Sequence, residues 1–315
     1  MLEARQFLIF DKTNPLKIIL FFLLITQLQF AQTTPYSFNL DRISGLPSQV
    51  VYDVFQDNKS FIWFSTEKGI CRYDGLQIKE ILAKDFIIKG VSHISQDQKE
   101  RIWFQDFNGR IYYIYNNQVF LFKPYKANGF LKYAIINNQL FVAGKNEVKL
   151  FDLSNFKLLK TINVDMTGVK HTISDGKKFY LIGNKIQSLD IIGKLNVEKT
   201  PDDYLSKISA PLPVINNGKL FIFSKFGENY LDLSSDKPTY HQLPFKNIFT
   251  QNVIAYNNTF WLASTKGIYH LNTSKKSFEH YFPDSNISSI LKTSTGSYPF
   301  HLDSVSLHQR RTVEG

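Results

Sequence analysis

From about residue 50 onward the chain is written in short runs of alternating apolar and polar positions, each too brief for a helix and each closed by Asn, Asp, Gly or Ser. Six of these runs match one another: "FIWFST", "RIWFQD", "QLFVAG", "KFYLIG", "KLFIFS" and "TFWLAS". Their central aromatics are Trp63, Trp103, Phe141, Tyr180, Phe221 and Trp261, separated by 40, 38, 39, 41 and 40 residues. The first is preceded by another apolar run, "VVYDVFQD", and a polar turn, "DNKS". Its next run is "GICRYDG", matched further on by "GRIYYIYNN", "NEVKLFDLSN", "NKIQSLDIIG", "ENYLDLSSD" and "GIYHLNTSK". Period-two alternation between turn residues is the pattern of half-buried strands joined as hairpins. Four strands in a unit of about 40 residues predict β-propeller blades, since helical solenoids carry fewer strands and hexapeptide β-helices have a much shorter repeat.

Blade geometry accounts for the residue types. Each small twisted sheet has both faces covered by its neighbours, so large flat side chains on the second strand fill the wedge between blades. Trp63 and Trp103 therefore read as packing residues and not as platforms for a ligand. Gly69, Gly75, Gly109 and Gly267 fall where tight turns need positive φ. The fold expected is all-β, a propeller of six four-stranded blades plus a partial seventh, taken from a seven-bladed ring.

Composition supports strands: 28 Phe and 16 Tyr stand against 2 Met, in a chain 43% apolar and 20% charged. The amino end departs from the pattern. Lys12 and Lys17 precede an apolar core from Ile18 to Ile25, followed by polar residues and Ala31, which is the layout of a signal peptide with cleavage after Ala31. That core is shorter than the roughly 20 residues a spanning helix needs, and no run of comparable length comes after it. Export places the lone Cys71 in an oxidising compartment without a disulfide partner, and strand alternation turns it inward as an inert thiol. The formal charge is +10 and falls to +9 once Arg5, Lys12 and Lys17 leave with Glu3 and Asp11. Lys residues are dispersed through turns such as "NFKLLK" and "SKKSF", which describes a solvated basic surface and not a nucleic-acid stripe.

The stretch "SGLPSQVVYDVFQDNKSFIWFSTEKGICRYDG" resembles the two-component regulator propeller repeat. It carries the Gly45, Leu46, Pro47 lead, Asp57 in the turn, Ile62, Trp63, Phe64 and Thr66 in the strand, and Gly69, Arg72, Tyr73, Asp74 and Gly75 in the close. Ser65 stands where the family usually has Gly. The second copy keeps Asp97, Ile102, Trp103 and Phe104, and the sixth keeps Trp261, Thr265, Gly267 and Ile268. The resemblance implies the periplasmic sensor half of a membrane histidine kinase, often a hybrid one. Such a half is followed by an immunoglobulin-like domain, a transmembrane helix and a kinase. It also implies a small-molecule or oligosaccharide signal bound over one end of the ring, no nucleic acid, and a dimer as one state of the full-length protein.

No glycine-rich phosphate box or dimerisation hairpin with a phosphoacceptor His can be placed in this chain, and its membrane attachment would come only through parts C-terminal to it. The expected layout is a signal peptide at 1–31, a lead-in strand at 32–49, blades at 50–290 and an aberrant or truncated tail at 291–315. The tail "PFHLDSVSLHQRRTVEG" loses the alternation, and Pro299 lacks the backbone donor of a central strand. A seventh blade is then incomplete unless "YSFNL" near Tyr36 closes it.

The search for chemistry yields little. His93, His171, His241, His270, His280, His301 and His308 show no metal-ligand spacing. Asp202 and Asp203, in "KTPDDYLSK", read as a charged turn and not as an acid/base pair. No GxSxG elbow is present, and "DNKS" lacks the oxygen ladder of a calcium loop. The expectation is a protein that is not an enzyme, with no cofactor, no metal and no catalytic residue, whose ligand-binding residues the sequence does not single out. Two other readings stay open: a secreted binding or scaffolding propeller, and a propeller hydrolase or lyase.

Overall fold

The computed structural model describes residues 36–39, 45–301 and 306–309, apart from 49, 84–87, 89, 128–131, 209, 227, 257, 284 and 294–295. The signal peptide expected at 1–31 lies outside the described residues. Blade 1 consists of Val51–Gln56, Ile62–Thr66, Gly69–Tyr73 and Ile78–Ile81, hydrogen-bonded in that order with every neighbour antiparallel. The same four-stranded arrangement recurs as blade 2 (91–121), blade 3 (133–163), blade 4 (171–197), blade 5 (211–242) and blade 6 (250–281). Each central aromatic named above lies on the second strand of its blade. The six-bladed, all-β expectation is met.

The core is divided among seams between consecutive blades. Trp63 packs with Ile94, Ile102 and Phe104 of blade 2. Trp103 does the same with Tyr133, Leu140 and Val142 of blade 3, and Phe141 with Phe179 and Leu181 of blade 4. Tyr180 meets Leu220 and Ile222 of blade 5, and Phe223 meets Phe260 and Leu262 of blade 6. Trp63 is 3% exposed and Trp103 fully buried, so both are packing residues. Cys71 is buried too, and burial pushes its thiol up to about 12, leaving it protonated and inert.

A buried indole also needs a partner for its N–H, and the turn before the strand supplies one. Trp63 Nε1 donates to Asp57 Oδ2 at 2.8 Å, while Asp57 Oδ1 accepts the backbone N–H groups of Lys59 and Phe61, both at 2.9 Å. Blade 2 repeats this with Trp103 and Asp97 at 2.8 Å and adds Arg101, whose Nε meets the same carboxylate at 2.5 Å. The repeat's Asp followed six residues later by Trp is therefore a lock between turn and seam. Of the four glycines, Gly267 shows the clearest need for its residue type: its φ is +89°, and a Cβ would stand 2.3 Å from two carbonyl oxygens.

Beyond blade 6, Ile287–Thr293 pairs with Gly296–His301, and Tyr36–Asn39 pairs with Ser306–Gln309. These strands make two two-stranded sheets; no further four-stranded sheet forms among the described residues. Ile287 and Ile290 are buried against Ala263 and Ile268, covering the far face of blade 6. Asp203 and Asp202 precede a short helix, α1 (Tyr204–Lys207), where Asp203 pairs with Lys207 at 2.8 Å. That is the charged connection expected there, with a helical turn added.

Candidate functional site at one mouth of the channel

The first strand of each blade packs against the first strand of the next, so these strands surround the central channel. Their amino ends meet the turns between second and third strands at one end of the ring. A run of backbone bonds ties these pieces together: Glu67 N to Val50 O, Gly90 N to Glu67 O, and Phe107 N to Gly90 O at 3.2, 2.8 and 3.0 Å. The same joins recur from Lys225 N to Ala210 O, Thr250 N to Lys225 O and Thr265 N to Phe249 O. The end is thus a braced rim.

One position recurs around this mouth, opposite the second residue after each central aromatic. It holds Asp53 facing Ser65, Ser92 facing Gln105, His171 facing Ile182, Leu212 facing Phe223 and Asn252 facing Ala263. In blade 3 the carbonyl of Lys132 accepts Ala143 N–H at 3.1 Å, which puts Lys132 there. The inner ladder shifts register at Asp53, between Ser92 and Ser95, and at Asn252. Bulges of this kind redirect side chains, and they tend to sit beside functional sites.

Asp53 is held by two backbone donors, Ile94 N–H of the next blade at 2.8 Å and Val54 N–H at 2.9 Å. Asn252 Oδ1 takes Ile290 N–H in the same manner at 3.4 Å. Beside Asp53, His93 adopts φ +57°, a left-handed conformation uncommon outside glycine. Its Nε2 donates to Tyr133 O at 2.6 Å, and its own carbonyl accepts the Tyr133 hydroxyl at 2.7 Å. That closed exchange fixes the tautomer, leaving Nδ1 as the acceptor.

The electrostatics tie the position into one cluster. Burial raises the Asp53 carboxyl, against the pull of the Ile94 and Val54 N–H groups and of Lys132. Burial first, then Lys132, holds His93 down to about 4. His171 is also held to about 4, by burial and then by Lys132, Lys225 and Lys170. Lys132 itself is lowered by burial, with Asp53 opposing. Both imidazoles are therefore neutral at pH 7, and they sit among ammonium groups.

Around this polar ring stand aromatics that the seams do not absorb. Tyr52 and Phe107 meet edge to face at 4.7 Å and are each 44% exposed. Phe226, 61% exposed, meets Phe249 edge to face at 4.8 Å, with Lys225 Nζ 4.7 Å above the Phe249 ring. Gly90 makes the seat of Phe107: its φ is +60°, and a Cβ there would stand 2.6 Å from that ring.

Sequence reasoning did not single out these residues. Laying the six repeats over one another by their central aromatics would have brought Asp53 and His93 to the same place, ten residues upstream, beside Lys170 and His171. The bulges hide the rest of the ring, because they shift the count by one residue between blades.

Elsewhere one constellation has the outline of a catalytic triad. His270 Nδ1 lies 3.1 Å from Glu279 Oε2, and its Nε2 lies 2.9 Å from Thr259 Oγ1. The Thr259 hydroxyl, however, donates to Tyr256 O at 2.6 Å, so its proton is not directed at the imidazole. His270 also stacks on Trp261 at 4.0 Å, where the register puts Tyr256 in the place of the Asp of blades 1 and 2. The histidine is a packing partner. His241 stacks on Tyr230 and His280 on Tyr269, both on outer strands, whereas the side chains of His301 and His308 lie outside the described residues. Among the described residues no three His, Cys, Asp or Glu side chains converge as a metal site.

Residues 45–68 match the family described as two component regulator propeller. The resemblance read from the sequence holds at the first blade. Among solved structures, the extracellular domain assigned to the hybrid two component system BT4673 of B. thetaiotaomicron superposes with a TM-score of 0.70 at 14% identity, over 88% of this chain and 43% of that one. The corresponding domain of BT3049 from the same organism gives 0.64 at 14%, over 88% and 42%. The chain thus spans under half the length of these extracellular domains. Virginiamycin B lyase from Staphylococcus aureus gives 0.69 at 13%, over 88% and 99%. These likenesses establish the propeller fold, which sensors and lyases share. No curated protein sequence matches the chain. Among the described residues no helix is long and apolar enough to cross a membrane.

Proposed function

We propose that the chain is an extracytoplasmic ligand-sensing propeller of a two-component system, without catalytic activity of its own, that binds its signal over the mouth built from Asp53, His93, Lys132, His171 and the aromatic rim. The observation that carries this reading is the contrast in satisfaction. The blade 1 and blade 2 tryptophans in the seams are buried and hydrogen-bonded, whereas the mouth displays exposed ring pairs beside ammonium groups that form no ion pair among the described residues. Exposed aromatics beside polar groups suit a ligand with both ring faces and hydrogen-bonding groups, such as an oligosaccharide fragment. The first-blade match to the regulator family supports sensing over catalysis.

The reading extends to the two small sheets. Tyr36–Asn39 with Ser306–Gln309, and Ile287–Thr293 with Gly296–His301, act together as the seventh blade that completes the ring. The test is binding of a panel of oligosaccharide fragments by calorimetry, comparing the wild type with Tyr52→Ser and Phe226→Ser. Loss of a fragment's binding in both variants, with melting temperature kept, supports the assignment. A fragment that binds all three proteins equally removes the mouth as the site.

A further inference from the structure

We propose that this mouth is an anion site, in which Lys132 and Lys225 pair with a carboxylate or phosphate group while the Tyr52–Phe107 and Phe226–Phe249 pairs flank the rest of the ligand. The inference rests on the sensing reading above and adds the charge of what is sensed. Its basis is an imbalance at one end of the ring. Several of the acidic groups described there have partners: Glu67 takes the Ser48 hydroxyl at 3.4 Å, Glu147 pairs with Lys149 at 2.9 Å, Asp165 with Lys185 at 2.8 Å, and Glu228 with Lys246 at 3.8 Å. Asp53 has both oxygens committed to backbone N–H groups. Lys132, Lys170 and Lys225 form no ion pair among the described residues.

The mouth is also polarised. The acid of the inner ring, Asp53, lies on blade 1, the cations without ion pairs among the described residues lie at the start of blade 3, before blade 4 and on the turn of blade 5, and blade 6 carries the neutral Asn252 where blade 1 carries Asp53. An ammonium withdrawn from water without a counter-ion is unfavourable, and two or more beside neutral imidazoles repel each other. An anion entering the blade 3 to blade 5 side relieves that repulsion. His171, whose neutral ring keeps one N–H, adds a donor without adding charge.

The experiment uses the full chain, purified from the periplasm and titrated with inorganic phosphate, benzoate and benzyl alcohol up to about 10 mM at constant ionic strength, a range suited to the millimolar Kd of a small fragment. Each titration is read by calorimetry and by thermal melts. Wild type binds at least one of the two anions and melts higher in its presence, and benzyl alcohol, which has the ring without the charge, binds at least about tenfold more weakly than benzoate. Phosphate alone assigns a phosphoryl ligand, and benzoate alone a carboxylate.

Lys132→Gln and Lys225→Gln each lose anion binding, while Lys275→Gln, on the outer edge of blade 6, keeps it. Without ligand, Lys132→Gln melts no lower than wild type, because the cost of burying its ammonium outweighs the attraction of Asp53; a structural role for Lys132 would lower the melt. Failure of both anions to bind, measurable and equal binding of benzyl alcohol and benzoate, or equal loss in Lys275→Gln would overturn the anion site. A neutral oligosaccharide that needs Phe226 but not Lys132 would overturn it while leaving the sensing function in place.

Discussion

The seam between blades 1 and 2 and the mouth of the channel are built from the same side chains, aromatics and charged groups on adjacent strands, yet they treat them oppositely. In the seam Trp63 is buried and its N–H is taken by Asp57, which is itself tied to its own turn. At the mouth Phe226 is 61% exposed, and Lys132 forms no ion pair among the described residues, with Asp53 attracting it only from beyond ion-pair distance. A protein interior leaves few polar groups unsatisfied, so a region that leaves several together is shaped by something other than stability. The difference separates what holds the ring from what the ring presents.

The largest expected effect is in the seam. Trp103→Ala should destabilise the chain by about 3–5 kcal/mol, as a fully buried large-to-small change that also leaves Asp97 and Arg101 without their aromatic cover. Denaturant unfolding followed by tryptophan fluorescence measures it. A loss below about 1 kcal/mol would place Trp103 outside the load of the seam, in the range of surface substitutions.

Asp57→Ala comes next. It removes an acceptor from the buried Trp63 N–H and from two backbone N–H groups, and should cost about 1–3 kcal/mol. Trp261 supplies the contrast: Tyr256 stands where the register of blade 1 places Asp57, and the indole stacks on His270 with no acceptor for its N–H among the described residues, so Trp261→Phe removes no hydrogen bond. Unfolding midpoints measured together should fall clearly for Asp57→Ala and by less for Trp261→Phe.

How much of this was legible in the sequence obeys the same division. The seams announce themselves because packing constrains residue type: an apolar strand with a central aromatic, repeated near every 40 residues, and an Asp six residues ahead of Trp63 and Trp103. Four-stranded blades and the inward Cys71 come from that alone. The mouth stayed hidden for a physical reason. His93, Lys132 and His171 come from blades whose order in sequence does not reveal their convergence, and each looks like an ordinary surface residue until the ring brings their first strands together. Bulges at Asp53 and Ser92 then displace them from strict repeat positions. Thr259, His270 and Glu279 are the converse, an arrangement with catalytic outline whose hydrogen bonds turn it to packing.

The pH response of stability should come from the mouth and not from the seams. His93 and His171 are depressed to about 4 in the folded chain, against an ordinary value near 6.5. The unfolded chain therefore takes up their protons first as pH falls. The stability these histidines confer is complete above about 6.5 and is lost progressively toward about 4. Asp53, whose carboxyl is raised, works against this loss at the acidic end. Thermal melts from pH 7 to pH 4 should fall more steeply for wild type than for His171→Gln. Parallel curves would mean that His171 is as free to protonate as in an unfolded chain.

The smallest stability effect is expected where the functional effect is largest. Phe226→Ser removes an exposed ring whose described aromatic contact is the edge of Phe249, and a substitution of that kind shifts stability by no more than about 0.5 kcal/mol. Tyr52→Ser is expected to behave alike, since Tyr52 is 44% exposed and meets only the rim ring Phe107 among the described aromatic contacts. Ligand contact puts these rings in a different category from Trp63: their removal subtracts binding surface while the blades stay packed. Melts and titrations run on the same protein preparations separate the two, because a packing residue loses both stability and binding and a rim residue loses binding alone. If Phe226→Ser lowers the unfolding midpoint as far as Asp57→Ala does, the ring belongs to the scaffold, and the contrast between seam and mouth fails at the side chain where it is most exposed.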